Sequence, residues 1–182
     1  PLWFVIVVVM NKQTTTMFLV DVETTFGTPT PYSGYMTEFG AVEFNSGKTF
    51  HGVIYDTIME SQEPPVFVIK EDGDHNDLED VMKDFNFWIE SFGYDRNIFV
   101  SDNPAFDFMW IADAFDKSGL KNPFGYSGRR IGDLYAGLSG KWKNQSGWKK
   151  YRKTTHDHNP VNDAKGNREA LITILEKYGH SS

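Results

Sequence analysis

Two apolar patterns occur along most of the chain. Some segments are continuous apolar runs, and in others the apolar residues recur at helical spacing. Apolar runs bounded by turn-forming residues predict strands over residues 17–22, 35–44, 49–55 and 97–101. Apolar positions three or four residues apart predict helices over residues 76–92, 104–118, 131–138 and 160–178. Asn76 with Glu79 resembles a capping box, and an Asn-Pro pair precedes both the second and the fourth helix.

The order of these elements predicts an α/β fold. Three strands, interpreted as antiparallel, are followed by strands and helices in alternation. This order is typical of one mixed sheet with helices on its faces, and it suits the ribonuclease-H-like architecture. In such a fold, functional groups are expected where strands end and helices begin.

The length of 182 residues indicates one domain, predicted to cover residues 17–182. Residues 1–16 are predicted to be a non-native or disordered extension, with an additional strand as the alternative. Its apolar start is too short to span a membrane, and no targeting signal or membrane partner is indicated. The absence of cysteine excludes disulfides and zinc-thiolate sites, and it fits a cytoplasmic location.

The net charge of −7 is unevenly distributed. Residues 129–153 contain eight Lys or Arg residues and one acid, Asp133, which either supports a site or caps a helix. Basic groups neutralise phosphates, and aromatic side chains stack on the bases of single strands. The aromatic candidates are Trp142, Trp148 and Tyr151, and the candidate substrate contacts are Lys149, Lys150 and Arg152. The alternative is a solvated loop whose aromatic side chains pack onto the core.

Carboxylates recur where predicted strands end and helices begin. Asp21 and Glu23 end the first strand, and side chains two residues apart in a strand point to the same side. Asp107 and Asp163 lie early in the second and fourth helices, and His158 comes five residues before Asp163. Such a set suits phosphodiester hydrolysis assisted by two Mg²⁺ or Mn²⁺ ions about 3.5–4 Å apart. The ions would offset the repulsion between the carboxylates, and the histidine could take a proton from the attacking water.

Three motifs in this order resemble those of the DEDDh 3′-to-5′ exonucleases, the DnaQ-like group of the ribonuclease-H-like superfamily. They are DVETT with Asp21 and Glu23, SDNPAFD with Asp107, and HNPVNDA with His158 and Asp163. The resemblance covers residues 18–179. The long loop FGTPTPYSG is most similar to the phage exonuclease A-like and bacterial exoribonuclease-like branches.

The resemblance implies that the four acids bind two Mg²⁺ or Mn²⁺ ions and that His158 is the general base. His156 is a competitor, but it precedes Asp163 by seven residues instead of five. Thr24 and Thr25 are expected to lie near the 3′-terminal nucleotide. The implied partner is a single strand of DNA or RNA with a free 3′ end, hydrolysed to nucleoside monophosphates. The alternative function is a non-catalytic nucleic-acid-binding module on the same fold.

Overall fold

A computed structural model of the protein describes residues 14–25, 28–54 and 77–179. Within them the strands are β1 (Thr15–Thr24), β2 (Met36–Glu43), β3 (Thr49–Val53), β4 (Arg96–Ser101) and β5 (Gly128–Arg130). The α-helices are α1 (Leu78–Glu90), α2 (Pro104–Lys117), α3 (Ile131–Ser139) and α4 (Pro160–Tyr178), and a 3₁₀ helix covers Gly147–Tyr151. None of these helices combines the length and apolar character that crossing a membrane requires.

The strands form one mixed sheet in the order β3-β2-β1-β4-β5. β2 pairs antiparallel with both β1 and β3, whereas β4 pairs parallel with both β1 and β5. This topology confirms the predicted mixed sheet of antiparallel strands followed by parallel strands. Because β1, β4 and β5 run in the same direction, their last residues lie at one edge of the sheet, which we call the carboxyl edge.

Helices cover both faces of the sheet because β1 is apolar on both sides. Phe18 and Val20 are fully buried in a cluster with the inner faces of α1 and α2. Leu19 points to the opposite face, as alternation along a strand requires, and packs with residues of α3, α4 and the 3₁₀ helix. Each such buried side chain stabilises the fold by about 1.5–3 kcal/mol. These two layers hold the strand ends and helix starts in fixed relative positions.

Several boundaries differ from the sequence prediction. β1 begins at Thr15 because Thr15 and Thr16 already pair with Arg96 and Asn97 of β4. Residues 1–13 of the predicted extension, and the alternative strand there, lie outside the described residues. The described cap of α1 is Asp77, whose carboxylate accepts a 2.8 Å hydrogen bond from the Asp80 backbone N–H. The predicted cap, Asn76, is outside the described residues.

Two short elements were missed by the sequence prediction. β5 is three residues long, Gly-Arg-Arg, so it offers no apolar alternation from which a strand could be recognised. The 3₁₀ helix lies in the basic segment 129–153, outside the predicted helices, and its five residues are too few to show a period. Both elements flank the carboxyl edge and shape the surface beside the predicted site.

Candidate active site

Three of the predicted acids meet at the carboxyl edge. Asp21 and Glu23 come from the end of β1, and Asp163 comes from the first turn of α4. One carboxylate oxygen of each lies within 4.8 Å of the others. A bulge separates Glu23 from Thr24, which ends the regular pairing of β1 with β2 directly after the two acids.

A glycine in β2 allows α4 to approach the sheet at this point. Gly40 pairs with Asp21, and a Cβ atom placed on it would lie 2.3 Å from the backbone of Pro160 and Val161. Real side chains do not tolerate such a contact, so the start of α4 can cross the strand only where a glycine stands. Sequence reasoning did not assign Gly40 to the site, although a glycine inside a strand is a recognised sign of close backbone approach.

The fourth acid, Asp107, is in the first turn of α2 and is 4% exposed. Burial raises its pKa to about 7, and polar groups of Ser101, Asn103 and Val22 act in the opposite direction. The pKa of Asp21 is raised to about 9, first by burial and then by the charges of Asp107, Asp163 and Glu23. The mutual effect of these carboxylates places all four in one electrostatic cluster, which we call the acid cluster.

Two histidines flank the acid cluster, and each contacts a different acid. Nδ1 of His158 is 3.5 Å from Oε1 of Glu23, and His158 has a φ of 60°, a conformation that residues other than glycine rarely adopt. Nδ1 of His156 is 2.7 Å from Oδ2 of Asp163. The ring centroids of the two histidines are 4.5 Å apart. His158 is therefore located beside Glu23, and its role as general base stays a prediction. His156 has a contact that its spacing did not indicate.

Arg152 is held under α4 and bonds to the same carboxylate. Its Nη2 donates a 2.5 Å hydrogen bond to Oδ1 of Asp163, and its side chain is 10% exposed. The guanidinium fits because residue 166 is a glycine, where a Cβ atom would lie 2.4 Å from Nε of Arg152. The structure thus shows Arg152 in contact with Asp163 of the acid cluster. Contact of Arg152 with the substrate stays a prediction.

The remaining predicted substrate residues are at the end of β1 and in the 3₁₀ helix. Thr25 is buried, and its hydroxyl accepts a 3.1 Å hydrogen bond from the backbone N–H of Tyr35, while Thr24 follows the bulge. Lys149 lies 2.7 Å from Asp102 in an ion pair at the end of β4. Lys150 is exposed and places its ammonium 5.1 Å from the ring centroid of Tyr151. Their contact with substrate stays a prediction.

The aromatic residues of the basic segment take different positions. Trp148 is completely buried and packs with the face that α3 and α4 cover, and Tyr151 packs against the same cluster. Trp142 is 72% exposed. The alternative of aromatic side chains packing onto the core therefore holds for Trp148 and Tyr151. Asp133 is in the first turn of α3, 3.7 Å from Arg130.

The strand order, with helices on both faces of the sheet, defines the class of fold, which is ribonuclease-H-like. The profile of the 3′-5′ exoribonuclease Rv2179c-like domain matches residues 16–175, and the chain belongs to this family. No curated protein matches the chain.

Solved structures share the fold at low sequence identity. The nuclease domain of 3′hExo, a DEDDh family member bound to rAMP, is 16% identical with a TM-score of 0.65, over 93% of this chain and 96% of that one. A 3′-exonuclease that recognises the histone mRNA stem-loop is 16% identical with a TM-score of 0.61, over 91% of this chain and 65% of that one. The zinc-bound E. coli ExoI–ssDNA complex is 14% identical with a TM-score of 0.53, over 91% of this chain and 41% of that one.

Proposed function

We propose that the protein is a metal-dependent 3′-to-5′ exonuclease that releases nucleoside monophosphates from the 3′ end of a single nucleic-acid strand. The observation that carries this proposal is the meeting of Asp21, Glu23 and Asp163 within 4.8 Å, with Asp107 buried beside them. Like charges this close are unfavourable without a cation. Membership of a 3′-5′ exoribonuclease family supports the direction and the type of reaction.

Divalent ions of the Mg²⁺ or Mn²⁺ type fit the residues that are present. These ions prefer carboxylate oxygens, which Asp21, Glu23 and Asp163 bring together. Asp107 supplies a fourth carboxylate close enough to raise the pKa of Asp21. Burial is the main cause of the raised pKa of Asp21, and the neighbouring carboxylates, whose repulsion such cations would relieve, raise it further. Two ions bound there would polarise the phosphodiester and stabilise the charge on the attacking and leaving oxygens.

The chain's own residues would orient the substrate and move the proton. His158, next to Glu23, is the proposed general base that accepts the proton of the attacking water. Its 76% exposed side chain leaves it accessible to a water on the substrate side of the cluster. Thr24 and Thr25, after the bulge, are proposed to lie against the 3′-terminal nucleotide. Lys149 and Lys150 are proposed to neutralise phosphates of the strand.

RNA is the proposed first substrate. The matching family is described as a 3′-5′ exoribonuclease domain, and the neighbouring nuclease domain of 3′hExo is bound to rAMP. DNA is the necessary comparison, because another neighbour is complexed with ssDNA. Hydrolysis of RNA in preference to DNA would require contacts with the 2′-hydroxyl at the 3′-terminal nucleotide. The cysteine-free composition supports a cytoplasmic location for this activity.

The decisive experiment is digestion of single strands labelled at the 5′ end, in parallel for RNA and DNA of one sequence, with Mg²⁺ or Mn²⁺ and with EDTA. We expect ladders that shorten from the 3′ end, monophosphate products, and no reaction in EDTA. A circular strand and a strand with a 3′-phosphate should resist. Cutting of the circular strand would show an endonuclease, and binding of strands without hydrolysis would show a non-catalytic module.

A further inference from the structure

A groove opens at the carboxyl edge beside the acid cluster. It encloses about 410 Å³, and its main lining residues are Asp102, Asn103, Arg130, Lys143, Ser146 and Lys149. Asp102 and Asn103 connect β4 to α2, and Arg130 ends β5. The segment leading into the 3₁₀ helix contributes the other side. The two short elements that the sequence did not reveal, β5 and the 3₁₀ helix, each contribute one cationic lining residue, Arg130 and Lys149.

The position of the groove relative to the acids follows from the strand order. β4 lies between β1, which carries Asp21 and Glu23, and β5, which ends at the groove. Asp107 belongs to the first turn of α2, five residues after the groove residue Asp102. A strand whose 3′ end is held at the acid cluster and which leaves across β4 would pass directly over the groove.

The charges of the groove favour an anion. Three of its lining residues are cationic, Arg130, Lys143 and Lys149, and one is acidic, Asp102. Asp102 is engaged by two of them, since Lys149 lies 2.7 Å from its carboxylate and Nε of Arg130 donates a 2.9 Å hydrogen bond to its carbonyl oxygen. Nη1 of Arg130 also lies 3.7 Å from Oδ1 of Asp133, so Lys143 is the lining cation for which the described residues show no ion pair. The groove keeps a small excess of positive charge on a chain whose net charge is −7.

The opposite side of the acid cluster carries the opposite charge. Glu23 pairs in register with Glu38 of β2, and Glu38 lies 2.7 Å from His51 of β3. A phosphate leaving across β2 would meet this carboxylate, whereas one leaving across β4 meets Arg130, Lys143 and Lys149. The contrast between the two sides selects one path for the strand.

We propose that this groove binds the phosphodiester backbone of the substrate on the 5′ side of the nucleotide held at the acid cluster, so that the strand leaves across β4 towards β5. The proposal rests on the proposed exonuclease function and adds the path of the substrate. Arg130 and Lys143 become substrate contacts that the motifs did not indicate. Among the residues that the structure describes, those lining the groove include no aromatic side chain, so the proposed contacts are to phosphates and are independent of base sequence.

The test compares a substrate that reaches the groove with one that does not. The first is a short single-stranded RNA, and the second is the p-nitrophenyl ester of thymidine 5′-monophosphate, which has no upstream nucleotide. The variants are Lys143→Gln and the double variant Arg130→Gln with Lys143→Gln. The control is Lys83→Gln, an exposed lysine of α1 that pairs with Glu79. Melting temperatures show whether each variant folds. The single variant Lys143→Gln leaves the hydrogen bond between Arg130 and Asp102 intact.

We expect the groove variants to raise KM for the RNA several-fold and to leave kcat/KM for the small ester unchanged. The slope of log Kd against log salt concentration, measured for RNA in EDTA, should become shallower by about 0.7 for each phosphate that is no longer neutralised. Lys83→Gln should change neither KM for the RNA nor the salt slope. Unchanged RNA kinetics and an unchanged salt slope in folded groove variants would overturn the proposed path. Failure of the wild-type protein to hydrolyse either substrate would instead overturn the proposed function.

Discussion

Arg152 and Asp163 form a hydrogen-bonded ion pair at the acid cluster, with 2.5 Å between Nη2 and Oδ1. The second oxygen of Asp163 is 2.7 Å from Nδ1 of His156. Asp163 itself is 1% exposed, so these two side chains, and not bulk water, are the described partners of its carboxylate. The carboxylate is thereby fixed in orientation before any cation binds, which is what a preorganised ligand requires.

Replacement of Arg152 by Met should therefore destabilise the protein most when metal is absent. Loss of one partner leaves a buried carboxylate uncompensated, which costs about 3–5 kcal/mol. Mg²⁺ bound at Asp163 can replace part of the missing positive charge, so the loss should be smaller in excess Mg²⁺. Thermal unfolding of wild type and variant in EDTA and in Mg²⁺ measures the loss in free energy of unfolding under each condition.

Two further variants calibrate this effect. Arg152→Lys keeps the charge but not the planar guanidinium, and we expect an intermediate loss. Arg129→Met removes an exposed arginine of β5 and should change the free energy of unfolding by less than about 0.5 kcal/mol. An equal loss for Arg152→Met with and without Mg²⁺ would mean that Arg152 contributes packing alone.

Asp21→Asn should abolish hydrolysis and stabilise the metal-free protein at alkaline pH. Its pKa is raised from 3.8 to about 9 in the folded protein, so the folded state holds a proton that the unfolded state has released. Stability from this group is complete below about pH 4 and is lost as the pH rises towards about 9. Asn cannot ionise, so the gain in melting temperature over wild type in EDTA should grow across this range. Asp84→Asn, on the exposed side of α1, should show no such trend, and a gain independent of pH would contradict the raised pKa.

The two histidines should be separable by their dependence on metal concentration. His158→Ala removes the proposed general base and should lower the single-turnover rate by about 10²–10⁴-fold at any metal concentration. His156→Ala removes a partner of Asp163, so we expect weaker metal binding and a rate that recovers in excess Mg²⁺. Rates over a Mg²⁺ titration decide the assignment. If excess Mg²⁺ restored the rate of His158→Ala but not that of His156→Ala, the two roles would be exchanged.

The mixed sheet could be predicted from the sequence, and the four acids could be proposed from it, because both leave local signals. The acids stand in short motifs at the ends of apolar runs, and these runs form β1 and β4 as expected. The partners of the acids leave no such signal. The contact of Arg152 with Asp163 depends on a glycine at residue 166, which clears space only after α4 has packed against the 3₁₀ helix.

Trp142 and Trp148, which lie in one segment, also show that a local sequence pattern does not reveal tertiary contacts. Both are aromatic residues among lysines, yet Trp148 is fully buried and Trp142 is 72% exposed. The 3₁₀ helix that turns Trp148 inward is five residues long, and a period cannot be read from so short an element. Burial was therefore decided by tertiary packing and not by local pattern.

Gly40→Ala should damage activity more than stability. The added Cβ atom would lie 2.3 Å from the backbone of Pro160, and backbone cannot move aside as a flexible side chain can. Overpacking of this kind costs about 1–3 kcal/mol. The start of α4 must shift away from β2, and Asp163 moves with it away from Asp21. A displacement of about 1 Å at a reacting centre can cost about 10²-fold in rate.

The matched control for this substitution is Gly137→Ala in α3, where a Cβ atom would meet nothing within 4 Å. Alanine is favoured over glycine in a helix by about 0.8–1.0 kcal/mol, so this variant should be as stable as wild type or more stable. Melting temperature, kcat and the Mg²⁺ concentration for half-maximal rate should be measured for both variants. Gly40→Ala should need more Mg²⁺, because its acids no longer converge, whereas Gly137→Ala should not. A Gly40→Ala protein with normal turnover and normal Mg²⁺ dependence would show that the close approach of α4 to β2 is not what places Asp163 in the acid cluster.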